Sequence, residues 1–134
     1  MIKSISHITF IVSDLNRTEH LLCSVFDATK VYDSHQNTFS LSPEKFFLIG
    51  DLWIAIMQGN ALEERSYNHI AFKIEPSEKA EYLQRINTLG LELKADRARV
   101  EGEGESIYFY DYDNHLFELH TGTLASRLQR YAQG

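Results

Sequence analysis

A seven-residue segment occurs twice in the chain, at corresponding places in its two halves. Residues 4–10 (SISHITF) and 66–72 (SYNHIAF) match at an offset of 62, close to half of the 134 residues. Both copies alternate in side-chain character, as strands with two different faces do. A unit that is present twice predicts two copies of one small folded module. The repeat therefore restricts the architecture more strongly than any other feature of the sequence.

The residues after the first copy predict the content of the module. Ser13 and Asp14 suit the N-cap of a helix that follows a first strand at 5–12. Leu15, Leu22, Val25 and Phe26 lie on one apolar stripe of that helix. Further strands are predicted at 31–33, 38–41, 46–49 and 52–57, with Pro43 and Glu44 in a turn.

The second half follows the same order. Pro76 opens and Gly90 closes a predicted helix over 76–89. Strands are predicted at 107–110 and 116–120, because both runs are rich in strand-forming residues and turn-forming residues separate them. At the offset of 62, the predicted strand 52–57 aligns with residues 114–119.

The predicted fold class is α+β, with two tandem βαβββ modules in a single domain over 1–134. Module one covers about 1–60, module two about 66–122, and a C-terminal helix capped by Thr123 covers about 123–131. A composition of 43% hydrophobic and 12% aromatic residues is that of a globular chain.

Composition also indicates where such a chain works. The longest apolar runs are shorter than a membrane span, and the start MIKSISHITF lacks a signal-peptide pattern. The single cysteine, Cys23, suits a reducing cytosol. A net charge of −6 disfavours nucleic acid and anionic membranes as partners. We therefore expect a cytoplasmic protein.

The repeat also brings potential metal ligands into equivalent positions. His7 and His69 occupy the same place in the first strand of each module, and Glu118 lies on the last strand of the second, where its counterpart at the offset is Ile56. Alternation places His120 on the same face as Glu118. Two imidazoles and one carboxylate bind a divalent metal and leave positions open for water or substrate. The sequence predicts a metal site formed by His7, His69 and Glu118.

These segments resemble the fosfomycin-resistance branch of the vicinal oxygen chelate superfamily. The resemblance spans essentially the whole chain and is carried by HIT at 7–9, YNHIAF at 67–72, YFYD at 108–111 and DNHLFELHTG at 113–122. It is strongest to the FosX type, which are manganese-dependent fosfomycin epoxide hydrolases. The resemblance implies Mn²⁺, or another divalent metal, in a strand-exchanged homodimer. His7 would come from one subunit, and His69 with Glu118 from the other.

The resemblance also assigns catalytic roles. Two related sub-branches open the oxirane with glutathione or bacillithiol, whereas the FosX type uses water and carries a glutamate before a Phe-Phe strand. The segment SPEKFF supplies that glutamate as Glu44, which implies a general base. Thr9 would hydrogen-bond or protonate the oxirane oxygen.

The implied substrate pocket departs from that of the transferases. By this resemblance, Tyr108 and Arg127 match phosphonate-binding positions and Ser106 matches a nearby loop serine. Trp53 and Tyr67 match other pocket positions. The glutathione-type enzymes place a lysine and a serine where this chain has Ala98 and Gly102. Three cations, Lys94, Arg97 and Arg99, are candidates to supply the missing positive charge.

Three alternatives remain open at this point. The chain could be a thiol transferase of the same fold, and Glu44 argues against that reading. It could also catalyse Fe(II) oxygen chemistry, which two histidines and one carboxylate also suit. A metal-free drug-binding module is the third, and the complete set of metal ligands disfavours it.

Overall fold

The computed structural model describes residues 1–35 and 37–134, which form two compact units. Unit 1 contains Met1–Glu63 and Tyr112–Asn114, and unit 2 contains Glu64–Asp111 and His115–Gly134. Each unit has one four-stranded sheet with helical segments. The predicted α+β class is confirmed. Within the described residues, no helix is long and apolar enough to cross a bilayer.

Unit 1 follows the order β, α, β, β, β. Its elements are β1 (His7–Val12), α1 (Leu15–Phe26), β2 (Thr29–Asp33), β3 (Glu44–Ile49) and β4 (Leu52–Gln58). The strands lie in the order β1-β4-β3-β2, with β1 parallel to β4 and the other neighbours antiparallel.

Helix α1 covers one face of this sheet. The Asp14 side chain accepts a hydrogen bond from the Arg17 N–H at 3.0 Å, which caps the first turn. The helix ends at Phe26, and its C-cap residue, Asp27, has a left-handed φ of 55°. Its buried side chains are Thr18, Leu21, Leu22, Val25 and Phe26. They meet the sheet face that carries Phe47 and Ile54, both of which are fully buried.

Two local predictions in unit 1 are wrong. The segment 38–41 is not a strand, since β2 pairs directly with β3, and Phe39 and Leu41 are highly exposed. Glu44 is not in a turn: it is the first residue of β3 and lies opposite Met57 of β4. The Gln58 N–H donates to the Pro43 carbonyl at 2.9 Å, which carries the strand pairing up to the proline.

Unit 2 repeats the order of unit 1 and adds a final helix. Its elements are β5 (His69–Lys73), a 3₁₀ turn (Pro76–Glu78), α2 (Lys79–Thr88), β6 (Leu93–Lys94), β7 (Ser106–Tyr110), β8 (Leu116–His120) and α3 (Leu124–Ala132). The strand order β5-β8-β7-β6 matches that of unit 1. Thr123 caps α3 as predicted, accepting from the Ser126 N–H at 3.1 Å.

The strand registers correct one equivalence between the modules. Thr9 of β1 pairs with Ala55, and its repeat equivalent Ala71 of β5 pairs with Glu118. The counterpart of Glu118 is therefore Ala55 rather than the predicted Ile56. The reason is that the turn between β7 and β8 is one residue longer than the turn between β3 and β4. The residue of unit 1 that corresponds to Glu118 is therefore still apolar.

Candidate active site

The predicted site residues of unit 1 lie on one face of its sheet. His7 pairs with Trp53, Thr9 pairs with Ala55, and Glu44 pairs with Met57. Paired residues share a face and alternate residues return to it. His7, Thr9, Trp53 and Glu44 therefore project from the face opposite the one that α1 covers.

An aromatic row supports His7 on this face. The imidazole stacks on the Trp53 ring with centroids 4.1 Å apart, and Trp53 contacts Phe46 edge-on at 5.1 Å. The Nδ1 atom of His7 lies 3.0 Å from Oγ of Ser6. The indole Nε1 of Trp53 is buried and has no hydrogen-bond partner within the described residues.

Glu44 is largely shielded from water although it stands at the end of a strand. The residue is only 9% exposed. Its N–H donates to Oγ of Ser34 at 3.0 Å, and its carbonyl accepts from the Ser34 N–H at 3.0 Å. This reciprocal pair fixes the backbone from which the Glu44 carboxyl group projects.

The predicted residues of unit 2 share a face in the same way. Across β8, Glu118 pairs with Ala71 of β5 on one side and with Tyr108 of β7 on the other. Ser106 pairs with His120, which is two residues after Glu118 on β8 and so lies on the same face. The face therefore presents His69, Ser106, Tyr108, Glu118 and His120 together.

His69 and Glu118 are in direct contact. Nε2 of His69 lies 2.9 Å from Oε1 of Glu118. The other ring nitrogen, Nδ1, lies 2.6 Å from the Tyr67 carbonyl, which can only accept. Nδ1 therefore carries a proton, and Nε2 is directed at a carboxylate oxygen. Two acceptors this close require a positive charge between them, either a proton or a metal ion.

The second oxygen of Glu118 is held by donors. Oγ of Ser106 donates to Oε2 at 2.6 Å, and Nη2 of Arg99 lies 3.5 Å from the same oxygen. Burial raises the pKa of Glu118, but hydrogen bonds from Ser106 and Tyr108 and the nearby histidines outweigh it, so the pKa is lowered. The carboxylate is thus ionised, with Oε2 anchored and Oε1 directed at His69.

Two tyrosines and one arginine extend the site. The hydroxyls of Tyr67 and Tyr108 lie 2.8 Å apart, and burial, followed by the bond to Tyr67, raises the pKa of Tyr108. Nη2 of Arg99 donates to the Tyr108 hydroxyl and to Oγ of Ser106, both at 3.0 Å. Nη1 of Arg99 is buried without a partner among the described residues.

The three candidate cations have different surroundings. Arg97 pairs with the buried carboxylate of Glu103 at 2.8 Å. Lys94 lies over the rings of Tyr67 and Tyr108, 5.2 and 5.7 Å from their centroids. Arg99 is therefore the cation of this group that hydrogen-bonds residues of the site.

Arg127 reaches the same face from α3. Its Nη2 lies 3.1 Å from Nε2 of His120. Both line a cavity of about 290 Å³ that also exposes His69 and Glu118. His120 is the functional candidate to which sequence reasoning gave no role, although its placement on the Glu118 face was predicted. Its pKa is lowered by burial, with further contributions from Arg127, Arg99 and Lys73.

The donor set in unit 2 suits a hard divalent metal. An imidazole nitrogen and an anionic carboxylate oxygen converge, and each is oriented through its other atom, as metal ligands usually are. Among residues 1–35 and 37–134, no group of three or more His, Cys, Asp or Glu side chains is placed to hold a metal. The assignment of His7 as the third ligand stays a prediction.

Comparison with known proteins defines first the fold class and then the family. A glyoxylase/bleomycin resistance protein/dioxygenase domain from Frankia sp. EAN1pec shares the fold, with a TM-score of 0.76 at 17% identity over 92% of this chain and 95% of that one. No protein-family model matches the sequence.

Full-length relatives are much closer in sequence. The fosfomycin resistance protein FosX of Listeria innocua is 62% identical over 131 residues, covering 98% of each chain. The FosX of Mesorhizobium japonicum is 62% identical over 134 residues, covering all of this chain and 96% of its own. The chain belongs to the FosX fosfomycin-resistance family. A metallothiol transferase FosB from Staphylococcus saprophyticus is more distant, at 35% identity over 99% of this chain and 86% of its own.

A solved structure of a relative carries ligands. A mutant of FosX from Listeria monocytogenes, in complex with Mn(II) and 1S,2S-dihydroxypropylphosphonic acid, has a TM-score of 0.90 and 58% identity to this chain. The match covers 98% of this chain and 99% of the relative.

Proposed function

We propose that this protein is a Mn(II)-dependent enzyme that adds water to the oxirane ring of fosfomycin and thereby confers resistance to the drug. The observation that carries the reaction type is Glu44, a shielded carboxyl group on the same sheet face as Thr9 and His7. The relative that binds Mn(II) and a dihydroxypropylphosphonic acid supports the metal and a diol product.

The metal would be held by His69 and Glu118, with His7 of a second subunit as the third ligand. The anchoring of Nδ1 of His69 and of Oε2 of Glu118 leaves Nε2 and Oε1 free to bind it. Mn(II) bound there supplies a Lewis acid that stabilises the negative charge developing on the oxirane oxygen.

The phosphonate of fosfomycin would be bound by cations and hydroxyls of unit 2. Arg127 lines the cavity beside Glu118, and Arg99 has an unpaired buried N–H near Ser106 and Tyr108. Planar guanidinium groups suit bidentate contact with phosphonate oxygens. Against a background of −6 net charge, these two arginines make the positive charge a local feature of the site.

The reaction needs one proton taken and one delivered. Glu44 accepts a proton from water, whose oxygen then bonds to the carbon that bears phosphorus. The bond from that carbon to the oxirane oxygen breaks, and the Thr9 hydroxyl hydrogen-bonds or protonates the oxygen that is released. A positioned general base of this kind contributes about 10²–10⁴-fold in rate. The product is a ring-opened diol phosphonate.

Phosphorus NMR of fosfomycin incubated with the protein tests this function. With Mn(II) we expect a single diol signal, with little product after the metal is chelated. Glutathione or bacillithiol should neither accelerate the reaction nor give a thioether signal. A thiol adduct formed faster than the diol would move the protein to the transferases, to which FosB belongs.

A further inference from the structure

His120 lies between Arg127 and Ser106 in the candidate site of unit 2. It follows Glu118 by two residues on β8, and its side chain is largely buried. Nε2 of the ring lies 3.1 Å from Nη2 of Arg127, and Nδ1 lies 2.7 Å from Oγ of Ser106. The imidazole therefore connects the arginine of α3 to the serine that anchors Glu118.

The chemistry of the partners fixes the direction of every hydrogen bond in this chain of contacts. A guanidinium only donates, so Nε2 of His120 accepts and the ring proton resides on Nδ1. Nδ1–H then donates to Oγ of Ser106. The serine hydrogen is thereby directed to Oε2 of Glu118, which only accepts. The remaining lone pair of Ser106 receives Arg99 at 3.0 Å. All donors and acceptors of the serine hydroxyl are used.

Packing holds the ring in this position. Gly122 passes so close to His120 that a Cβ at residue 122 would lie 2.7 Å from Nε2. The ammonium group of Lys73 donates to the carbonyls of Thr121 and Gly122, which fixes the backbone after β8. The imidazole has little room to rotate away from Arg127 and Ser106.

We propose that His120 is a positioning residue that orients two functional groups at once. Through Nε2 it sets the guanidinium of Arg127 for the phosphonate, and through Nδ1–H and Ser106 it holds Oε2 of Glu118. The carboxylate is then left with Oε1 for the metal. This inference rests on the proposed function and deepens it, since it identifies one ring that couples anion recognition to metal binding.

Two amide substitutions separate the two roles. In His120→Asn the amide reaches the place of Nδ1 and can still donate to Ser106, but nothing remains to accept from Arg127. In His120→Gln the amide oxygen reaches the place of Nε2 and can accept from Arg127, but the donor to Ser106 is lost. His35→Asn is the matched control, because His35 is exposed, lies in unit 1 and has a left-handed φ of 48° that asparagine tolerates.

The readouts are two binding constants that require no turnover. Mn(II) affinity is measured from the EPR signal of free Mn(II), and anion affinity by calorimetry with methylphosphonate on the Mn(II)-saturated protein. We expect His120→Asn to weaken methylphosphonate binding about tenfold and to leave Mn(II) affinity within about twofold. His120→Gln should weaken Mn(II) binding about tenfold, as for other residues that orient a metal ligand, with methylphosphonate binding little changed.

The pattern across the two variants decides the proposal. If both bind Mn(II) and methylphosphonate as the His35→Asn control does, His120 positions neither group. If both lose the two affinities equally, the ring has only a packing role, and the proposal is again overturned. A wild-type protein that binds both probes but leaves fosfomycin intact would contradict the proposed hydration while leaving this comparison valid.

Discussion

Glu44 and Ser106 occupy equivalent positions in the two sheets. Glu44 of β3 pairs with Met57 of β4, and Ser106 of β7 pairs with His120 of β8. Each of these pairs is the next one on the same sheet face after the pair that contains Ala55 or its counterpart Glu118. The duplicated scaffold thus presents a carboxyl group in unit 1 and a hydroxyl that anchors Glu118 in unit 2. Divergence at this position, and at Ala55 and its counterpart Glu118, gives the two sheets different chemistry.

Metal binding should depend on the His69–Glu118 pair. Replacing either by alanine removes one of the two converging ligand atoms, and we expect Mn(II) affinity to fall by about 100-fold or more, since a divalent ion needs several strong ligands. The free Mn(II) EPR signal measures this directly. His35→Ala, at an exposed histidine, should bind Mn(II) as the wild type does.

The proposal that two subunits form each metal site predicts complementation. His7→Ala and Glu118→Gln proteins should each be inactive, but a mixed dimer would carry one site with both lesions and one intact site. Activity should therefore return after the two variants are mixed and allowed to exchange subunits. No recovery after demonstrated exchange would place all three ligands in one chain.

Arg99 and Arg97 should behave differently although they are two residues apart. Arg99→Ala removes a cation that hydrogen-bonds Ser106 and Tyr108, and loss of a charged hydrogen bond to the bound anion costs about 1.5–3 kcal/mol. We expect kcat/KM for fosfomycin to fall roughly 10- to 100-fold. Arg97→Ala removes the partner of Glu103 instead. It should lower Tm with little effect on KM; an unchanged KM in Arg99→Ala would remove Arg99 from the pocket.

The buried carboxylate of Glu103 should make the stability of the folded protein depend on pH in the acidic range. Hydrogen bonds from Arg97, then Tyr131 and the Val100 N–H, lower the pKa of Glu103 well below its ordinary value of 4.5. A carboxyl group with a depressed pKa in the folded state contributes stability above the unfolded pKa and loses it as pH falls toward the folded one.

Thermal unfolding as a function of pH measures this contribution. Below pH 4.5, the Tm of the wild type should fall more steeply than that of Glu103→Gln, which cannot titrate. Glu101→Gln, at an exposed neighbour, should follow the wild-type curve. Equal slopes in all three proteins would contradict the assignment.

The sequence predicts the fold class well because repetition identifies the two modules, whereas the metal ligands stay a prediction. The shared SxxHIxF pattern marks both first strands, and strand alternation brings Glu118 and His120 to one face. Helix α3 was predictable from its Thr123 cap. These features depend on local residue patterns, which a single sequence displays.

Other features depend on pairing partners that the sequence does not reveal. The apolar residues Phe39 and Leu41 favour a strand, yet the neighbouring β2 already occupies the edge of β3. The one-residue difference between the two hairpin turns moves the counterpart of Glu118 from Ile56 to Ala55. Which of Lys94, Arg97 and Arg99 faces Glu118 depends on the path of the loop before β7, and composition contains no information about that path.

Isotope transfer from labelled water shows which nucleophile opens the oxirane ring. Wild-type protein with Mn(II) is incubated with fosfomycin in H₂¹⁸O, and the product is analysed by mass spectrometry and phosphorus NMR, with Glu44→Gln as the variant that cannot accept the proton. We predict one ¹⁸O atom, on the carbon attached to phosphorus, and hydration slowed by about 10²-fold or more in Glu44→Gln with Mn(II) binding retained. An unlabelled product, or a wild-type rate in Glu44→Gln, would contradict water activation by Glu44.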